Sequence, residues 1–249
     1  MKIDKLSKKE FAAYFDHSIL KPNLMRQDFL QHIEECKKYG FYSAAINSSM
    51  TELYVEKLMG TNIRVGVAVG FPFGQASIAS KVAETKNSIS TGANEIDYVI
   101  NIGRLLDGEY DYVEKEMQLI VNECKRYGVV SKVILENCYL GKKEKVKACE
   151  IAVKTGIDFV KTSTGFGSGG ATFEDVELMK SIVGNKAKVK AAGAMKTLVD
   201  VSVMIEAGAE RIGSAFSAGI MDDFIEIKDK GLLVTEKYEY LKHFCFCPG

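Results

Sequence analysis

Residues 142–161 read KKEKVKACEIAVKTGIDFVK. The first fourteen carry apolar residues at three and four spacing among charges, which is the pattern of an amphipathic helix. Gly156 follows, and glycine just past a helix end takes the left-handed backbone that releases the chain. IDFVK is then a short apolar run of strand type. The same step from helix to glycine to strand recurs at Gly40 before FYSAAI, Gly60 before TNIRVGVAV, Gly92 before ANEIDYVI, Gly128 before VVSKVIL, Gly184 before NKAKVKAA and Gly208 before AERIGS. Seven junctions imply seven strands that follow helices. AYFDHSIL, with no such glycine before it, is the first strand and brings the count to eight.

Strands such as RVGVAV and KVIL are short and β-branched, as parallel strands covered by helices are. Eight strands alternating with helices in 249 residues, with no Pro-, Ser- or Gly-rich linker, predict an α/β fold: one (β/α)8 TIM barrel over residues 1–249, with a short N-terminal helical extension. An open doubly wound sheet is the competing arrangement.

Composition narrows the function. With 47% hydrophobic residues and 33 basic against 33 acidic side chains, the chain carries no basic block of the kind that binds nucleic acid by neutralising phosphates. The start, MKIDKLSKKEFAAYF, has no apolar signal core, and no stretch approaches the ~20 apolar residues of a membrane span. These features predict a cytosolic chain with no nucleic-acid or membrane partner. The six cysteines, at 36, 124, 138, 149, 245 and 247, lack C-x-x-C spacing and are expected to be reduced. His243, Cys245 and Cys247 near the end supply too few well-spaced ligands for structural zinc, and the tail FCFC reads instead as apolar packing.

A barrel of this type carries its chemistry at the C-terminal ends of its strands, and the polar residues there are candidates. Asp16 ends or nearly ends the first strand, Asn47 the second, and Asp97 lies within the fourth. Glu136 and Asn137 close the fifth, Lys161 the sixth, and Lys190 the seventh. Lys161 emerges from a buried run into TSTGFGSGG. Burial lowers an amine's pKa and makes it a nucleophile able to form a Schiff base with a carbonyl; alternatively, its stem lines the strand and its head reaches solvent. Lys190 occupies the matching place in the next strand, roughly 4.8 Å away, so two ammonium groups would face one pocket and lower each other's pKa. Asp97, disfavoured in a strand interior, needs a cationic partner; it serves either as a proton carrier or as a structural ion pair.

The loop STGFGSGGATFEDV leads into a helix that starts near Thr172 to Glu174, and with AAGAMKT and IGSAFSAG it offers backbone N–H groups to a phosphate; tight turns without a ligand use glycine in the same way. Gly165, Gly167 and Gly170 also satisfy G-x-G-x-x-G formally. The acidic residue a dinucleotide fold needs about 20 positions on is missing, because that strand, AKVKAA, carries lysines.

With these residues in view, the chain resembles the deoxyribose-phosphate aldolases, lysine-dependent class I aldolases on a (β/α)8 barrel. The resemblance runs in order through FDHSILKP, VGFPFGQ, the segment from Lys81 to Asn101, KVILENC, DFVKTSTGFGSGGAT, VKAAGA and AGAERIGS. It implies reversible cleavage of 2-deoxy-D-ribose 5-phosphate to D-glyceraldehyde 3-phosphate and acetaldehyde, with no metal or organic cofactor, and a homodimer as the family-level assembly. By motif, Lys161 matches the Schiff-base lysine, Lys190 the second lysine that lowers its pKa, and Asp97 the proton-relay carboxylate. Asp16 matches a polar residue of the site floor. Thr164, Gly193 and Ser214 match loop positions that contact phosphate or substrate.

The departures from the family pattern cluster in the phosphate loops. Where family loops read AGGIRT or SGGIRT and GTSS, Ala194 replaces a glycine, Lys196 an arginine, and Ala215 follows Ser214. Ala45 and Ser48 stand where cysteine and proline are common, and the tail ends FCFCPG without the terminal tyrosine some members place near the site. A related aldolase acting on a different or unphosphorylated aldehyde is therefore the competing function. A sugar-phosphate-binding barrel without catalysis would require a disabled lysine pair, which this sequence does not have.

Overall fold

A computed structural model describes residues 3–231, so the His243, Cys245 and Cys247 reading lies outside the described residues. Strands and helices follow in the order α1 (Lys8–Ala12), β1 (Phe15–Ile19), α2 (Arg26–Tyr39), β2 (Ser43–Asn47), α3 (Thr51–Leu58), β3 (Arg64–Val69), α4 (Ile78–Ser90) and β4 (Glu95–Val99). They continue with α5 (Ile102–Leu106), α6 (Tyr110–Arg126), β5 (Val130–Ile134), α7 (Lys142–Thr155), β6 (Phe159–Lys161), α8 (Phe173–Val183), β7 (Lys188–Ala192), α9 (Leu198–Glu206), β8 (Arg211–Ser214) and α10 (Ser217–Asp229). The eight strands pair in parallel in sequence order, and β8 closes onto β1.

All seven junction glycines have positive φ, from 54° at Gly184 to 111° at Gly92, which is why each ends its helix and turns the chain back into the barrel. The short α1 precedes the first strand. Ser7 caps it, in a capping box with Glu10, and its Phe11 stacks on Phe224 of α10 at 4.1 Å and edges against Phe15 of β1 at 5.1 Å. No helix among the described residues is long and apolar enough to cross a membrane.

Apolar side chains fill the space between strands and helices, including Ile46, Val67, Ile96, Val133 and Ile212. The barrel interior is different, because it encloses charge: Asp16, Glu95, Asp97, Lys132, Lys161, Lys190 and Arg211 are all buried. Small residues make the room. A Cβ on Gly213 would lie 3.1 Å from Cε of Lys190, so the glycine opens the path that the lysine stem follows.

Candidate active site

β6 and β7 run in register with Lys161 opposite Lys190, and β4 and β5 with Asp97 opposite Lys132. With alternate side chains pointing inward, this pairing sends four long charged groups into one space. Nζ of Lys161 donates to Oδ2 of Asp97 at 3.0 Å, and Nζ of Lys190 donates to the same oxygen at 2.7 Å. The two lysines and the aspartate singled out from the sequence thus meet at a single atom. Lys161 is only 3% exposed, yet it lines a cavity of about 260 Å³ that opens between the loops after β6, β7 and β8. Its head does not reach bulk solvent.

Burial, and then the neighbouring charge of Lys190, pull the Lys161 ammonium down to a pKa of about 8, against the opposing pull of Asp97. About a tenth of the amine is then neutral at pH 7, against fewer than about one in a thousand for an ordinary lysine. Asp97 shows the opposite balance. Burial favours its neutral form, but Lys132, Lys190 and Lys161 together hold it well below the carboxylate range.

Asp16 is placed differently from the sequence expectation. It is the second residue of β1, near the start of the strand, because Ala12 to Tyr14 complete α1 and its exit. From there it lies fully buried beneath Lys190, bonding its Nζ through Oδ2 and Arg211 through Oδ1 at 2.7 Å. It forms the floor beneath the lysines; what the structure corrects is its place along the strand, not its place in the site. Asn47 does end β2, but it accepts from the Ser49 hydroxyl at 2.6 Å and does not line the cavity. Asn137 turns its amide to Sδ of Met179 at 3.3 Å.

Glu136 sits in the left-handed region, φ 57°, uncommon for a residue with a side chain. Its buried carboxylate accepts from both the backbone N–H of Thr164, at 3.1 Å, and the Thr164 hydroxyl. It thereby clamps the loop that leaves the reactive strand. The Ser214 hydroxyl is similarly engaged, donating to the carbonyl of Met195 at 2.6 Å and accepting from the N–H of Phe216 at 2.9 Å. Thr164 and Ser214 therefore shape the loops with their hydroxyls, and Gly165, Gly193 and Ala194 line the cavity beside them. Lys21 and Lys196 stand at the same cavity, both exposed, and neither makes an ion pair among the described residues. Thr172 caps α8 by accepting from the N–H of Asp175, and the helix starts at Phe173, within the span the loop sequence predicts.

Ala194 has φ 60°. The left-handed region costs a Cβ-bearing residue roughly 1–2 kcal/mol, while glycine gives back about 0.4–1 kcal/mol through the unfolded chain. Ala194→Gly is expected to raise stability by about 0.5–1 kcal/mol. Urea unfolding should show a higher midpoint with unchanged slope; a lower midpoint would mean the alanine is not strained.

Three members of the buried cluster escape the sequence reading: Lys132, Glu95 and Arg211. Nζ of Lys132 donates to Glu95 at 2.6 Å and to Oδ1 of Asp97 at 2.7 Å. The signal was present, since Glu95 lies two residues before Asp97 and shares its face, and Lys132 interrupts an apolar strand just as Lys161 does. A second buried pair fixes the end of β4. Lys81 donates to the carbonyl of Val99 at 2.7 Å and to Glu116 at 2.6 Å, and Glu116 accepts the N–H of Asn101 at 3.0 Å.

Comparison with known proteins gives a consistent picture. A family model described as DeoC/LacD family aldolase matches residues 11–231. A deoxyribose-phosphate aldolase of Caldanaerobacter subterraneus subsp. tengcongensis is 47% identical over 222 residues, which is 89% of this chain and 95% of the relative. One from Lactobacillus acidophilus is 50% identical over 211 residues, 85% of this chain and 88% of the relative. Among solved structures, the tetrameric deoxyribose phosphate aldolase of Aeropyrum pernix superposes with a TM-score of 0.82 at 30% identity, covering 90% of this chain and 95% of its own.

Proposed function

The chain belongs to the DeoC/LacD aldolase family, and from that premise we propose that its barrel cleaves 2-deoxy-D-ribose 5-phosphate reversibly to D-glyceraldehyde 3-phosphate and acetaldehyde through a Schiff base on Lys161. The observation that carries this reading is the buried Lys161 amine, sharing one Asp97 oxygen with Lys190 at the edge of a cavity.

The chemistry follows from the groups in reach. The neutral amine of Lys161 adds to C1 of the open-chain sugar, and loss of water leaves an iminium that draws electrons from C2. The C3 hydroxyl gives up its proton as the C2–C3 bond breaks; the bond pair becomes an enamine, and C3 becomes the carbonyl of glyceraldehyde 3-phosphate. Protonation of the enamine at C2 and hydrolysis release acetaldehyde and return the amine. Lys190, bridging Asp16 and Asp97, shares an Asp97 oxygen with the reacting nitrogen and serves it as a proton source. Asp97 holds both lysines and passes protons between them and the substrate.

Lys21, Lys196 and the backbone of the loops after β6, β7 and β8 form the phosphate end of the cavity. Charge-assisted contacts of this kind are worth about 2.7 kcal/mol in total, or roughly 10²-fold. The kcat/KM for 2-deoxyribose 5-phosphate should exceed that for 2-deoxyribose by about that factor, and Lys196→Met should shrink the gap while leaving the unphosphorylated sugar unaffected. Equal rates on the two sugars would favour the unphosphorylated-aldehyde reading, which the strained Ala194 and the exchanges at Lys196 and Ala215 recommend as the alternative. The residues of this chain account for the reaction without an organic cofactor or metal. A cytoplasmic homo-oligomer, a dimer in its simplest form, fits this reading; dilution series in light scattering would test the assembly.

A further inference from the structure

The ion-paired cluster inside the barrel is unbalanced. Among the described residues it holds four cations, Lys132, Lys161, Lys190 and Arg211, against three carboxylates, Asp16, Glu95 and Asp97. It is also incompletely bonded, since Oε1 of Glu95 and Nε of Arg211 have no hydrogen-bond partner. Incomplete buried charge networks are poor devices for stability. Lys132 has no access to the cavity, yet it touches all three carboxylates, at 2.6 Å (Glu95), 2.7 Å (Asp97) and 3.5 Å (Asp16).

We propose that Lys132 is a positioning residue for the reaction: it occupies Oδ1 of Asp97, leaves Oδ2 to Lys161 and Lys190, and gives the cluster the one excess positive charge that Lys161 sheds. Lys161 is the member that loses its proton because it has the fewest carboxylate contacts. It meets Asp97 alone, whereas Lys190 has two carboxylates, Arg211 two and Lys132 three. Burial works against the Lys132 ammonium, but Asp97, Glu95 and Asp16 overcome it and hold its pKa well above the ordinary lysine value. The inference rests on Lys161 being the nucleophile.

The other groups around the cluster leave the count unchanged. Glu136, from the turn after β5, faces Lys161, but its oxygens accept from the N–H and hydroxyl of Thr164 and it makes an ion pair with none of the four cations. The Cys124 thiol of α6, near Lys132, is pushed up by burial to about 12. Tyr42 stacks on Arg211 at 3.5 Å and Phe159 lies 5.9 Å from Lys132; the exposed Lys188, 5.7 Å over the Phe159 ring, and Arg64, 5.3 Å over the Tyr42 ring, make an ion pair with none of the three carboxylates.

The test is the pH dependence of the rate at which acetaldehyde is trapped on the full chain by cyanoborohydride. In the parent protein the rate should climb through a pH near 8. In Lys132→Met the remaining cations and carboxylates balance, Lys161 is held as the ammonium, and the limb should move up by about one pH unit, a roughly tenfold loss at pH 7. Glu95→Gln should move the limb the other way. Combining the two substitutions restores the one-charge excess and should return the limb to within a few tenths of a unit of the parent, and Lys132→Arg should leave it in place. A limb unmoved by Lys132→Met, or a double variant no nearer the parent than the single, overturns the inference. If Lys132→Met does not fold, Glu95→Gln decides alone: a downward shift supports the inference, and an unmoved limb defeats it. Peptide mapping separates the two readings, because an adduct elsewhere than Lys161 defeats the nucleophile assignment, whereas an adduct at Lys161 with immobile limbs defeats only the role of Lys132.

Discussion

Lys161→Ala is expected to lose turnover of 2-deoxyribose 5-phosphate by roughly four orders of magnitude or more, the scale on which removal of a covalent nucleophile acts. Without this amine no electron sink forms at C1, and no other group reaches the carbonyl with a comparable supply of neutral nitrogen. Lys190 cannot substitute: it is fully buried and bonded to both Asp16 and Asp97. The fold should survive, because the substitution removes a cation from a cluster that has one to spare. Steady-state assay with a coupled readout of the aldehyde phosphate, beside a thermal melt, checks both halves. Turnover within tenfold of the parent would show that the nucleophile is elsewhere.

Asp97→Asn should separate the first chemical step from the rest. Its carboxylate meets Lys132, Lys161 and Lys190, and breaking a buried pair by removing one partner costs about 3–5 kcal/mol, so the melting temperature should fall markedly. Loss of a positioned proton carrier should lower kcat by roughly 10²–10⁴-fold. Schiff-base formation should nevertheless persist, because the carboxylate favours the charged form of Lys161 and its removal frees more neutral amine. Retained trapping with collapsed turnover is the expected signature. Turnover near the parent level would leave Asp97 a purely structural ion pair, and loss of trapping along with turnover would mean that it positions the amine rather than serving the later proton transfers.

The architecture was readable because each of the seven helices that lead into β2 to β8 is followed by a glycine of positive φ, from Gly40 to Gly208. The reactive pair was readable for a related reason: Lys161 and Lys190 each break an apolar strand, and parallel neighbours of similar length stay in register. The depth of Asp16 was not, because AYFDHSIL does not reveal that its first residues finish a capped helix. Nor were the hydrogen-bond partners of the Thr164 and Ser214 hydroxyls. Their hydroxyls are taken by Glu136 and by the carbonyl of Met195, partners 28 and 19 residues away. Lys132 and Glu95 lay within reach of the period-two argument applied to Asp97. Arg211 did not, since an arginine opening a strand after a glycine looks like a solvated end until β8 closes onto β1.

The lysine assignment is tested most directly by reducing the protein with borohydride in the presence of acetaldehyde, then digesting it and locating the modified residue. The expected result is a single ethyl adduct on Lys161, its yield rising with pH through about 8 as the neutral amine accumulates. An adduct on Lys190, on a surface lysine, or on none, would contradict the account.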